Sequence, residues 1–110
     1  MTESLRQTDA RCCAPDSRAV AARLAALSHP ARIEILKHLS ARNSCCCREV
    51  VDHLDLAQST VSQHLKILVE AGLVRFAPDR QRSRYEVDRA ALADVSASVT
   101  ALVNSCCSGR

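Results

Sequence analysis

The sequence predicts one mainly α-helical domain carrying a small β-hairpin, and three observations support that expectation. Apolar residues recur at helical spacing through most of the 110-residue chain. The spacing changes to short strand-like runs only between about residues 73 and 87. Two glycines and three prolines are too few for the turns of an all-β domain. The length suits a single domain. The composition is 47% hydrophobic with Phe76 and Tyr85 as the aromatic residues, so the core must be aliphatic. A domain of this size buries only about two-thirds of its unfolded surface, and a second subunit would add to that.

Each element follows from a local signal. Residues 1–16 are polar and contain Pro15, which predicts a flexible tail bearing the thiol pair Cys12-Cys13. A first helix starts at Ser17, with Val20, Leu24 and Leu27 at i, i+4, i+7. Ser28-His29-Pro30 ends it, and Pro30 suits the first turn of a second helix reaching about Ala41. Ile35, Leu36 and Leu39 are its inward residues. After the break Arg42-Asn43-Ser44, either Asn43 or Ser44 is expected to cap a third helix over about Cys46–His53, with Val50 and Leu54 buried. Asp55-Leu56-Ala57 is a short turn, and Gln58–Ala71 is the best-formed helix, with Val61, Leu65 and Leu68 inward. Gly72 fits the left-handed position after it. Leu73–Ala77 and Arg84–Val87 read as strands around a charged tip, and Asp88 caps a last helix from Arg89 to about Asn104. Its Leu92, Val95, Val99 and Leu102 alternate three and four apart, the seam of a helix that faces another helix, which suggests a dimer. The domain is therefore expected over residues 17–104, with 105–110 a second tail bearing Cys106-Cys107.

Two short helices joined by a tight turn and followed by a hairpin make a winged helix-turn-helix. Its second helix is built to enter a DNA major groove, where base edges carry a distinguishable code. The outward residues Gln58, Ser59, Thr60, Ser62, Gln63, His64 and Lys66 suit that task. The amide of Gln58 or Gln63 matches adenine, hydroxyls and the helix N-terminus match phosphate, and Lys66 is a point charge for the backbone. An ordinary solvated face would carry more Glu and Lys. Arg75, Arg80, Arg82, Arg84 and Arg89 enrich the hairpin, and Arg80 and Arg82 at its tip are placed for phosphates or a minor groove. A net charge of +3 permits a nucleic-acid partner without requiring one. No apolar run approaches a bilayer span, and Met1–Arg11 is polar with no apolar run around Leu5, so neither a membrane anchor nor a signal peptide is expected. The expected compartment is the cytoplasm.

The seven cysteines fall in three clumps, Cys12-Cys13, Cys45-Cys46-Cys47 and Cys106-Cys107. An odd count without an export signal argues against a disulfide framework. Cysteine packs as a small hydrophobe, but neighbours on a helix or strand point in different directions, so burial alone does not call for a run. Adjacency favours thiol chemistry with a soft ion or an oxidant.

The runs Ser28–Leu36 (SHPARIEIL), Asp55–Leu68 (DLAQSTVSQHLKIL) and Ala71–Val74 (AGLV) resemble the ArsR/SmtB metalloregulators, over about Val20 to Val87. The resemblance implies a cytoplasmic homodimeric repressor that holds operator DNA without metal and releases it when a metal or metalloid binds. It departs from the usual pattern at His29, commonly Asp, and Ala57, commonly Ser, which weakens two helix caps. A zinc site on the last helix is not expected, because Ser96 replaces a histidine beside Asp94. His29, His38, His53 and His64 lie on different elements and are expected at the surface or facing DNA. The family's thiol site, commonly Cys-Val-Cys-Asp-Leu, aligns with Cys46-Cys47-Arg48-Glu49-Val50, so Arg48 replaces the second cysteine. Some relatives recruit a cysteine pair from the partner's N-terminal tail, as Cys12-Cys13 would allow.

Trivalent arsenic or antimony takes three sulfurs as a pyramid, which Cys12, Cys13 and one of Cys45, Cys46 and Cys47 supply. Four thiolates would instead suit Cd²⁺, Pb²⁺ or Zn²⁺. As(III) or Sb(III) is the expected inducer, with Cys106 and Cys107 ranked below as a second thiol site. Among rivals, a repressor that reads oxidation through a thiolate near Arg11 or Arg48 is separated by its response to peroxide. A thiol-rich metal buffer would bind no operator. An enzyme is not expected: Cys12-x5-Arg18 has the spacing of a phosphatase loop, but Pro15 removes an amide and no glycine or preceding strand is present.

Overall fold

The computed structural model describes residues 16–42, 44–78 and 83–108. Among the described residues five helices and three strands follow in order: α1 (Ser17–Leu27), α2 (Pro30–Ser40), β1 (Cys45–Cys46), α3 (Cys47–Leu54), α4 (Gln58–Glu70), β2 (Val74–Ala77), β3 (Arg84–Val87) and α5 (Arg89–Ser108). The strands form an antiparallel sheet in the order β1-β3-β2. The architecture is a winged helix-turn-helix, as expected, with one addition. Cys45 and Cys46 form a strand that pairs with Tyr85 and Arg84, which turns the hairpin into a three-stranded sheet.

The core is aliphatic and centred on α4. Val61, Leu65 and Leu68 are fully buried and meet Ile35 and Leu39 of α2, Val50 of α3 and Leu73 and Val74 before the wing. The apolar stripe of α4 therefore holds the helix down, leaving the opposite face free. Leu73 N–H reaches Leu68 C=O and Gly72 N–H reaches Val69 C=O, each at 3.0 Å, closing the helix with Gly72 at φ 82°.

The tight turn between α3 and α4 depends on Asp55. Its φ of 57° and ψ of 43° are left-handed, a conformation Asp tolerates better than most residues, and its N–H closes on Val51 C=O at 2.9 Å.

The caps correct two expectations. Helix α3 is capped by Cys46, not by Asn43 (outside the described residues) or Ser44: Glu49 accepts from the Cys46 N–H at 2.9 Å and closes a capping box. At the start of α2 a side-chain cap is kept, because Nδ1 of His29 accepts from Ala31 N–H at 3.1 Å in place of a carboxylate. Ala57 caps α4 without a side-chain hydrogen bond, as its methyl group dictates, and Asp88 caps α5 through Ala91 N–H at 3.0 Å.

Helix α5 runs four residues beyond the expected Asn104, so Cys106 and Cys107 lie on its last turn rather than after it. Its first half packs through Ala91 and Val95, whereas Leu102 and Val103 remain 57% and 50% exposed. A stretch of 18 of its 20 residues reaches a mean hydropathy of 1.3, so α5 meets the length and composition of a membrane span, which the sequence did not lead one to expect. The apolar character comes from alanine and valine interleaved with Ser96, Ser98, Thr100, Asn104 and Ser105.

His38 departs from the surface position expected of it. It is 8% exposed, its ring stacks on His53 of α3 at 4.2 Å, and its Nε2 has no hydrogen-bond partner among the described residues. Burial first, then His53 and Arg42, lower its pKa, against a smaller raising effect of Glu49. The folded state thus holds His38 neutral while the unfolded chain protonates at about 6.5. Stability is full above that pH and falls as pH drops toward the lowered folded value. Thermal melts between pH 7.5 and 5 should show a loss of Tm on acidification that His38→Leu reduces. An equal loss in both proteins would exclude this origin.

Candidate nucleic-acid interface and thiol site

Helix α4 presents Gln58, Ser59, Thr60, Ser62, Gln63 and Lys66 to solvent as a continuous polar face. His64 is set apart from them. It is half-buried, its Nδ1 accepts from Arg32 Nε at 3.2 Å, and its ring lies 4.5 Å from that of His29. Burial, then His29 and Arg32, lower its pKa, so it is a neutral acceptor engaged with the protein. Arg32 also donates through Nη1 to the carbonyls of Ala25 at 3.3 Å and Ala26 at 3.2 Å, tying α4 to the end of α1. Nothing in the sequence pattern marked Arg32 for this task, since it works across 32 positions of chain.

The wing arginines divide in two. Arg75 pairs with Glu86 at 2.9 Å across the strands. Arg84 donates to Oγ and the carbonyl of Ser44 at 2.8 and 3.0 Å, and Arg89 donates to the Ser40 carbonyl at 3.2 Å. These three are engaged within the protein, Arg75 inside the sheet, Arg84 on the segment before β1 and Arg89 between α5 and α2, whereas Arg80 and Arg82 lie outside the described residues.

The cysteine run separates into three environments within three residues, because the backbone changes there from strand to helix. Cys45 is 0% exposed among the aliphatic side chains, and burial, then Glu49, push its thiol pKa up. A neutral thiol in that setting is a poor metal ligand. Cys46 is buried at the helix cap. Cys47 is half-buried, and its Sγ lies 3.5 Å from Ser62 Oγ on the polar face of α4, hydrogen-bonded with either atom as donor. It borders a cavity of about 650 Å³ lined by Cys46, Cys47, Arg48, Gln58, Ser83 and Tyr85. Burial, then Cys47, raise the pKa of the Tyr85 phenol. Cys106 and Cys107 are exposed on α5, and Cys12 and Cys13 lie outside the described residues. Among the described residues no three His, Cys, Asp or Glu side chains are grouped to hold a metal ion. The donors present fit a thiophilic ion only with sulfurs brought from elsewhere to Cys47.

An exposed polar helix in a winged helix-turn-helix is the architecture of DNA-binding regulators. Residues 29–75 match the family described as bacterial regulatory protein, arsR family. The chain is 34% identical over 92 residues to the probable mercury resistance operon repressor of Streptomyces lividans, covering 84% of this chain and 71% of that one. It is 36% identical over 69 residues to the arsenical resistance operon repressor of Staphylococcus aureus, covering 63% of this chain and 65% of that relative, just under two-thirds of its length. Its fold is similar to that of an ArsR-like transcriptional regulator from Rhodococcus sp. RHA1, with a TM-score of 0.71, 25% identity and coverage of 77% and 79%. The chain belongs to the ArsR family.

Proposed function

We propose that the protein is a metalloid-responsive repressor: a homodimer that binds operator DNA without metal and releases it when As(III) or Sb(III) is captured by cysteine thiolates. Gln58, Ser59, Thr60, Ser62, Gln63 and Lys66 read and grip the DNA, with Arg80 and Arg82 of the wing on adjacent phosphates or a minor groove. The single observation that carries this reading is the accessible sulfur of Cys47 set against the exposed polar face of α4. Cys12 and Cys13 of the partner's tail complete a three-sulfur site with Cys47, leaving Cys45 to packing and Cys46 to the helix cap. Cys106 and Cys107 form a lesser thiol pair. Exposed Leu24, Leu102 and Val103, and the shallow cavity between α1 and α5 that Leu24 and Leu102 line, support a second copy as the cover of α5. That use of α5 and the regulator family support a cytoplasmic protein.

The similarity to a mercury operon repressor favours a second reading, a thiophilic divalent ion as the inducer. Release of a labelled operator fragment by arsenite, antimonite, Cd(II) and Hg(II) separates the two. The expected result is release by arsenite and antimonite at the lowest concentrations, reduced at least tenfold in sensitivity by Cys47→Ser and by Cys12→Ser/Cys13→Ser. Release by the divalent ions alone would replace the metalloid reading with the second. Release by arsenite that survives both substitutions would remove the proposed site.

A further inference from the structure

We propose that the hydrogen bond between Cys47 Sγ and Ser62 Oγ is the contact through which inducer capture reaches the reading helix, an inference that rests on the metalloid reading above. Cys47 is the first residue of α3 and Ser62 lies on the second turn of α4, one turn after Gln58 and one turn before Lys66. The 3.5 Å contact therefore ties the thiol-bearing end of one helix directly to the DNA-facing side of the next. Gln58 and Cys47 also share the walls of one cavity with Ser83 and Tyr85 at the base of the wing. An ion held on this sulfur enters where the thiol helix, the reading helix and the wing converge.

Capture changes that sulfur chemically. Arsenous acid exchanges its three hydroxyls for three thiols: each As–O bond is replaced by an As–S bond, each thiol proton leaves with a hydroxide as water, and arsenic stays trivalent. The sulfur then has no proton to donate, so with the Cys47 thiol as the donor to Ser62 Oγ in the free protein the contact is lost on capture. Ser62 acts as a positioning residue that holds α4 in the DNA-competent arrangement until the sulfur is taken. The coupling runs within one subunit over a single contact, besides any change in the spacing of the two reading heads. A ligand moves an equilibrium only by its differential interaction with the two states, and this bond is one such difference.

The test compares wild type, Ser62→Ala and Ser62→Thr as full-length proteins. Operator affinity is measured with and without saturating arsenite, and bound arsenic per subunit is counted. Ser62 faces DNA, so the readout is the ratio of the two affinities within each variant. Ser62→Ala should take up arsenite with wild-type stoichiometry while its arsenite-induced loss of affinity shrinks about fivefold, equivalent to the ~1 kcal/mol of one net hydrogen bond. Ser62→Thr, which keeps the hydroxyl, should restore the wild-type ratio. An undiminished ratio in Ser62→Ala, failure of Ser62→Thr to restore it, or loss of arsenite uptake in Ser62→Ala would each overturn the proposal. A wild-type protein that arsenite does not release would instead remove the metalloid reading itself.

Discussion

Leu102→Asp should convert the protein to a monomer and lower its operator affinity by a hundredfold or more. Leu102 is among the most exposed large apolar side chains, on the half of α5 that leaves its own core, and it lines a cavity with Leu24 of α1. In a dimer that surface is covered, and a carboxylate placed there must be desolvated without a partner, at a cost of several kcal/mol. A hundredfold change takes only ~2.7 kcal/mol. The fold itself should hardly notice, because Leu102 packs little within the subunit. Sedimentation equilibrium and operator titration read the two effects. A variant that stays dimeric and binds DNA normally would show that α5 is not the interface.

The largest loss of stability is expected from Leu65→Ala. Leu65 is fully buried at the middle of α4, between Val61 and Leu68 and against helices α2 and α3. Truncating a buried leucine costs about 2–5 kcal/mol from lost transfer energy and the cavity left behind. Domains of this kind have roughly 5–15 kcal/mol to lose. Urea unfolding should show the midpoint falling accordingly. A change below about 0.5 kcal/mol would mean the core closes around the gap and that α4 is less tightly seated than its burial implies.

The legibility of this chain varied with how local each feature is. Helix α4 was plain, because Val61, Leu65 and Leu68 repeat at helical spacing and all three are fully buried. So were the Gly72 and Asp88 ends, where one residue type does the work. In α1 the spacing of Val20, Leu24 and Leu27 marked a helix but not its inner side: Ala26 is the buried residue, and Leu24 stays exposed. A periodic stripe reports an apolar face without saying whether the chain's own core or a second copy covers it.

Two features depended on contacts across the chain and left no periodic signal. Strand β1 has two residues, too few for an alternation, and exists through its pairing with β3 some 40 positions later. His38 and His53 belong to different helices and meet only once α2 and α3 pack. The adjacency of Cys45, Cys46 and Cys47 coincides with the change of backbone from strand to helix. One thiol goes to the core, one to a helix cap and one to the surface of the reading helix.

The pairing of β1 with β3 also has a mechanical consequence. The residue just before Cys47 is stitched to Arg84, so the sulfur sits at the junction of a stiff ladder and a helix start. A load applied at that junction passes forward to α4 through Ser62 and sideways into the β2–β3 pair. The reading helix and the wing thereby share one point of attachment.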